Sequence, residues 1–150
     1  MNFGGIRMKI RQASQDEVSA MLEKDPYMKN VMWIGENTLT LIAIDEKEQN
    51  VALLFAFYRE IPAPLNGERE CFINVVGVND ESMHGKGIGS ALVQEAIRIA
   101  SEENVIQMRA YCDINNVSSH MLWLKNGFGI SPVKLPDGQI LGSFVTYRIL

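Results

Sequence analysis

Three glycines, Gly85, Gly87 and Gly89, alternate with Lys86 and Ile88 directly after His84 in a chain of 150 residues. They fall between an apolar run that ends at Val78 and an amphipathic run that begins at Ile88. A strand, a glycine turn and a helix in that order leave unpaired backbone N–H groups at the positive end of the helix dipole, a setting that favours anions. Glycines let such a backbone close on a phosphate. The segment departs from the P-loop pattern, because Asp80 stands where its first glycine belongs and Gly87 follows Lys86 where Ser or Thr would hold magnesium. It also departs from the dinucleotide fingerprint: Ser90 stands at the third glycine, and several strands precede a loop that should follow the first. ATP hydrolysis and nicotinamide chemistry are thereby disfavoured. For the glycines taken alone, a strand-to-helix turn with no ligand stands as the competing reading.

The elements that must position this loop can be read from periodicity. Residues 8–13 alternate apolar and polar, a half-buried strand, and Ser14 caps a helix running to about Lys24 with Glu17 at the capping-box position. Asp25-Pro26 interrupts that helix, and residues 27–34 form a second short helix or a turn. Residues 38–44 and 51–61 are β-branched or aromatic runs joined by a polar loop, the pattern of an antiparallel hairpin. Residues 71–78 form the strand before the loop, and Gly77 near its end signals a bulge or a close backbone approach. Ile88, Leu92, Ala96 and Ala100 give residues 88–100 one apolar helical face. Residues 105–112 are a strand, 116–126 a helix stopped by Gly127, 128–133 a short strand and 140–150 a final strand. The order β-α-α-β-β-β-α-β-α-β-β predicts an α/β fold, a mixed sheet with helices on its faces. One domain spans residues 8–150, and residues 1–7 are expected to be a poorly ordered extension that contributes little.

With these residues in place, the chain resembles the GCN5-related N-acetyltransferase (GNAT) family. Its pyrophosphate loop is similar to His84-Gly85-Lys86-Gly87-Ile88-Gly89, and its second hallmark is similar to Asn116, Ser119, Trp123, Lys125, Gly127 and Phe128. The resemblance implies a mostly antiparallel mixed sheet with one splayed parallel pair, here residues 71–78 and 105–112, flanked by helices. It implies acetyl-CoA as cosubstrate, its pantetheine arm in the splay on the backbone of Val76 and Val78, and its pyrophosphate on the loop from His84 to Ser90. Asn116, Ser119 and Trp123 would complete that site, and transfer to an amine would need no metal. His84 departs from the family's Arg or Gln, and a neutral imidazole gives a weaker charge contact. Trp123 stands where many members carry the tyrosine that protonates the leaving thiolate, a task indole cannot perform. Tyr111 is the substitute donor to weigh, and Glu70 falls roughly where a branch of the family places its general base. The competing reading of Glu70 is a solvated charge in the run Glu68-Arg69-Glu70. His120, one turn beyond Asn116, reads first as a packing residue. Tyr27, Trp33 and Tyr58 are candidates for an acceptor pocket or for core, and residues 27–36 and 132–138 would shape that pocket.

Composition sets the remaining bounds. A formal net charge of -4 offers no basic field for nucleic acid, and no apolar run approaches the ~20 residues of a membrane span. Cys71 and Cys112 sit among apolar or aromatic neighbours, which fits buried free thiols in a reducing cytoplasm rather than a disulfide framework or zinc site. The readings to separate are an active N-acetyltransferase, a non-catalytic acyl-CoA-binding module of the same fold, and a glycine-turn protein unrelated to coenzyme A. The acceptor amine is not encoded in any motif, and a homodimer stays open.

Overall fold

The computed structural model describes residues 2–3, 5–79 and 81–150, so Met1 and Gly4 of the expected extension, and Asp80 of the loop comparison, lie outside the described residues. Among the described residues, eight strands form one sheet in the order β1-β2-β3-β4-β5-β6-β8-β7. All neighbours are antiparallel except β5 (Arg69–Val78) and β6 (Gln107–Asp113), which run parallel. At one edge β1 (Asn2–Phe3) pairs with β2 (Ile6–Gln12), and Phe3 joins the core.

Helix α1 (Gln15–Lys24) begins as its sequence requires: Glu17 N donates to Ser14 Oγ at 3.2 Å, and Ser14 N donates to the Glu17 carboxylate at 2.9 Å. The interruption at Asp25-Pro26 becomes a 3₁₀ turn (Pro26–Asn30), capped by the Asp25 carboxylate, which accepts from Tyr27 N. It is shorter than the 27–34 segment expected to be helical or turned. Strands β3 (Thr38–Asp45) and β4 (Asn50–Glu60) each carry six consecutive buried residues, because both of their faces are covered. On one face Leu41, Leu54, Cys71, Ile73 and Met108 pack with Leu92, Val93 and Ala96 of α2 (Ile88–Ala100). On the other, Ile42, Leu53 and Phe55 pack with Val18 and Met32. Each buried Leu or Val of α2 contributes roughly 1.5–3 kcal/mol, so the apolar face of this helix alone fixes its place on the sheet.

After β6 come α3 (Val117–Lys125), β7 (Gly129–Lys134) and β8 (Ile140–Arg148). Gly127, at φ 85°, ends α3 as expected. A short 3₁₀ turn (Glu81–Met83) precedes the glycine loop, an element that three residues of sequence do not announce. The bulge in β5 is at Asn74, not at Gly77. Phe55 pairs with Val75 and Ala56 with Ile73, leaving Asn74 as the extra residue, while Gly77 pairs regularly with Leu53. An exposed polar side chain suits the extra position, and the Asn74 amide donates to Val31 O at 2.6 Å.

Candidate active site

The glycine loop is built from conformations that other residues resist. Gly85 and Gly87 have φ of 76° and 85°, and a Cβ at either would meet nothing within 4 Å, so it is backbone conformation rather than space that demands glycine. Gly89 lies where α2 and α3 approach: a Cβ there would touch Leu122 Cδ1 at 3.5 Å, an ordinary contact, so neither conformation nor space demands glycine at this position. Gly87 caps α2 without any side-chain hydrogen bond, and the first intrahelical bond is Ala91 N to Gly87 O. The N–H groups of Ile88, Gly89 and Ser90 therefore have no partner among the described residues. They open on a hollow of about 770 Å³ between the loop and α3, lined by His84, Gly85, Gly87 and Ser90 on one side and by Leu122 and Lys125 on the other. The Ile88 side chain points the other way, into the core.

His84 has a structural partner. Its Nε2 lies 3.1 Å from Val78 O, and since a carbonyl only accepts, Nε2 carries the proton. The ring thus ties the loop to the end of β5.

Parallel pairing of β5 with β6 runs only from Glu70↔Gln107 to Ile73↔Ala110. Past the Asn74 bulge the two strands part, and β5 from Val75 to Val78 has no strand on its β6 side. Asn79 N donates across to Val51 O in β4, so by strand alternation Val76 and Val78 turn their backbone groups toward the gap. A cleft of about 390 Å³ occupies that gap, walled by Val76 and Gly89 on one side and by Tyr111, Asn116, Ser119 and Trp123 on the other. Asn116 caps α3, its Oδ1 accepting from Ser119 N at 3.0 Å and from Ser118 Oγ at 3.2 Å. Trp123 is only 3% exposed, and its Nε1 donates to Ser119 Oγ at 3.0 Å. Ser119 thereby keeps its own hydroxyl proton for another acceptor.

Tyr111 also reaches this cleft, with 40% of its surface exposed. Partial desolvation, and then the charge of Asp113, push its phenol above the ordinary value, so it is protonated at neutral pH. Gly142 makes room for the Cys112 carbonyl and for this ring: a Cβ there would collide with Cys112 O and lie 2.7 Å from the Tyr111 hydroxyl.

Glu70 sits apart from the cleft lining, at the base of the parallel pair, and it is not a solvated charge. It is fully buried, and its two oxygens accept four hydrogen bonds: Arg59 Nε at 2.8 Å, Arg109 Nε at 2.9 Å and Nη2 at 2.8 Å, and Gln107 Nε2 at 2.9 Å. Burial alone would raise this carboxyl; the hydrogen bonds from Arg109, Gln107 and Arg59 outweigh it and hold the group below the usual carboxylate range. His120 packs at the back of β6, with Nδ1 2.9 Å from Asn116 O and 3.2 Å from Cys112 Sγ. Tyr58 packs on the α2 face of the sheet, and burial pushes its phenol up. Trp33, by contrast, meets Phe55 at 4.8 Å and Phe57 at 5.0 Å on the opposite face, and Tyr27 is exposed. Arg59, Gln107 and Arg109 escaped the sequence reading. Their only signal was alternation, Phe57-x-Arg59, Glu70-x-Phe72 and Gln107-x-Arg109-x-Tyr111, which places them on one face once the strands are aligned.

Among the described residues no group of His, Cys, Asp and Glu could hold a metal ion, and no helix is long and apolar enough to cross a membrane.

Residues 9–128 match the acetyltransferase (GNAT) family. A curated relative from Bacillus subtilis (strain 168), named putative phosphinothricin acetyltransferase YwnH, is 34% identical over 99 residues, which is 64% of this chain and 58% of that protein. Among solved structures, Arabidopsis thaliana NAA60 in complex with acetyl-CoA superposes with a TM-score of 0.72 at 12% identity, covering 95% of this chain and 99% of that one. The ribosomal-protein-S18-alanine N-acetyltransferase from Escherichia coli gives a TM-score of 0.67 at 16% identity, covering 95% and 94%. At these identities the structures speak for the fold.

Proposed function

The chain belongs to the acetyltransferase (GNAT) family, and from that premise we propose that it transfers acetyl from acetyl-CoA directly to the primary amine of a small molecule or peptide. The observation that carries this reading is the continuity of two features: a β5 edge with no strand beside it from Val75 to Val78, where the backbone of Val76 and the Val78 N–H face the gap while His84 takes Val78 O, and an uncapped α2 N-terminus next to it. The first offers backbone groups at strand spacing to an extended amide chain such as pantetheine; the second offers three free N–H groups to a pyrophosphate. Lys86 adds charge at the loop. His84, engaged with Val78 O, acts in this reading by holding the loop to the strand rather than by contacting phosphate.

In the transfer the amine nitrogen bonds to the thioester carbonyl carbon, the carbon–sulfur bond breaks, and the sulfur leaves as thiolate while the nitrogen gives up its proton. Two residues with hydroxyls line the cleft where the sulfur would lie, Ser119 and Tyr111, the Tyr111 hydroxyl packing against Gly142 at its β8 side. Trp123 contributes by donating to Ser119 Oγ, which leaves the serine hydroxyl free to donate in turn; Ser119 we assign to stabilising the thiolate as a hydrogen-bond donor, and Tyr111 to supplying its proton. Glu70 we assign to positioning, because its lone pairs are already bound by two guanidiniums and an amide. Proton loss from the amine then goes to water. The non-catalytic alternative is favoured only by the indole at position 123.

Calorimetry with acetyl-CoA tests the binding half. Gly87→Asp places bulk and negative charge at a left-handed position facing the pyrophosphate, so binding should vanish in a variant that still folds. Unchanged affinity there would mean that the loop is not the site. Thiol release with a panel of amines tests the transfer half, and its absence with every amine would leave a binding module.

A further inference from the structure

The side of the sheet that carries Glu70 has a feature the transfer reading does not use. Arg59 of β4 and Arg109 of β6 flank Glu70 of β5, two guanidinium charges against one carboxylate. One arginine suffices to neutralise the buried acid, and Arg109 already bonds both of its oxygens. Arg59 adds only Nε. Neither of its Nη groups has a protein partner among the described residues, nor has Nη1 of Arg109. Both guanidiniums lie over aromatic rings: Arg59 Cζ is 4.4 Å from the Phe72 centroid and Arg109 Cζ 4.8 Å from that of Phe144. Both remain accessible, with side-chain exposures of 36% and 19%. Trp33 and Phe57 continue the aromatic surface on one flank, and Tyr111, 5.7 Å from Phe144, on the other.

We propose that this arginine and aromatic face is the acceptor subsite, and that it selects small amines bearing a carboxylate or other compact anion. The proposal rests on the acyl-transfer reading for what happens to the amine, but the anion selectivity is a property of this face alone. A net positive, pre-oriented fork on a partly desolvated aromatic floor is the setting in which a carboxylate gains charge-assisted, two-point hydrogen bonds at little ordering cost. The chain as a whole is acidic, so this local excess is not a spillover of its general charge. Position supports the link to the cleft. Arg109 and Tyr111 are two residues apart on one face of β6, and Phe72 lies two residues before the Asn74 bulge on β5. At strand rise the anion would sit on the order of 7 Å from the point where the strands part, a span suited to an amine and an anion separated by about four or five bonds.

The test uses a matched pair, 4-aminobutanoate and 4-aminobutanamide, titrated by NMR into the full chain loaded with coenzyme A. The carboxylate should bind at least ~10-fold tighter than the carboxamide. Arg59→Gln, which leaves Glu70 its bonds from Arg109 and Gln107, should bring the two within about twofold, whereas Arg98→Gln on the far side of α2 should change nothing. Equal affinities in the unaltered chain, or selectivity that survives Arg59→Gln, would overturn the proposal. Thiol release from acetyl-CoA with the same amines separates the two readings. Anion selectivity without release removes the transferase and keeps the subsite; release with both amines at equal rates does the reverse.

Discussion

Ser119 shows how one hydrogen bond can redirect a residue. In sequence it is a small residue one turn before Trp123; in the structure the indole N–H occupies one lone pair of its hydroxyl, in the wall of the cleft, and the hydroxyl keeps its own proton to donate. A thiolate whose conjugate acid resembles a free cysteine, pKa about 8.5, can depart unprotonated, but a positioned donor adds roughly 10²–10⁴-fold. Because Tyr111 faces the same cleft, Ser119→Ala should lower kcat by only about tenfold with the KM for acetyl-CoA little changed, and Tyr111→Phe combined with it should lower kcat further. Steady-state thiol release with one accepted amine measures both. A double variant as fast as the parent would show that water delivers the proton. Gly85 and Gly87 were legible before the structure because left-handed φ restricts the residue type; the Trp123–Ser119 bond was not, because it depends on a rotamer that spacing does not determine.

At the scale of elements, caps and apolar periods were the readable signals. The capping box at Ser14 and Glu17, the limits of α2 and the stop at Gly127 all follow from local chemistry, and the structure places each where the residues ask for it. The β5 bulge was not readable in the same way. Gly77 carries the residue type associated with bulges, but the extra residue is set by how β5 registers on β4 and by Val31 O waiting for the Asn74 amide, both non-local facts. The α1 cap also carries a charge signature. The hydrogen bond from Arg11 and then that from the Ser14 backbone lower the Glu17 carboxyl to about 2. Ser14→Ala should cost about 1 kcal/mol in urea denaturation at neutral pH, the usual worth of an N-cap, while leaving acetyl-CoA affinity unchanged. α1 lies on the face of the sheet away from α2 and the glycine loop, so a loss of acetyl-CoA binding in that variant would contradict the separation of the two layers.

For the whole molecule, the sheet's two faces divide the labour: α2 and α3 cover the side that holds the glycine loop, and the other side is only partly covered by α1 and its following turn. The open portion is where Glu70 ties β4, β5 and β6 together, and the sequence hid this because the charged run 68–70 reads as a solvated strand start until three strands are aligned. A buried carboxylate held by two arginines also makes global stability depend on pH. Its folded pKa lies below the unfolded value of about 4.3, so its contribution is fully present above that value and is lost as pH falls through the folded pKa. Removing one partner from a buried ion pair typically costs 3–5 kcal/mol, and less here, because the arginines left unpaired by Glu70→Gln are partly exposed and can be hydrated. The variant should therefore be less stable at pH 7 by about 1–3 kcal/mol, and its deficit should shrink as pH is lowered below about 4, where Glu70 of the unfolded chain takes up a proton that the folded carboxylate still resists. Urea midpoints for both proteins across pH 3 to pH 8 measure this directly. A deficit that stays constant down to pH 3 would mean that Glu70 contributes through shape and hydrogen bonding rather than charge, while an unchanged midpoint at pH 7 would remove the network from any account of how the three strands are held together.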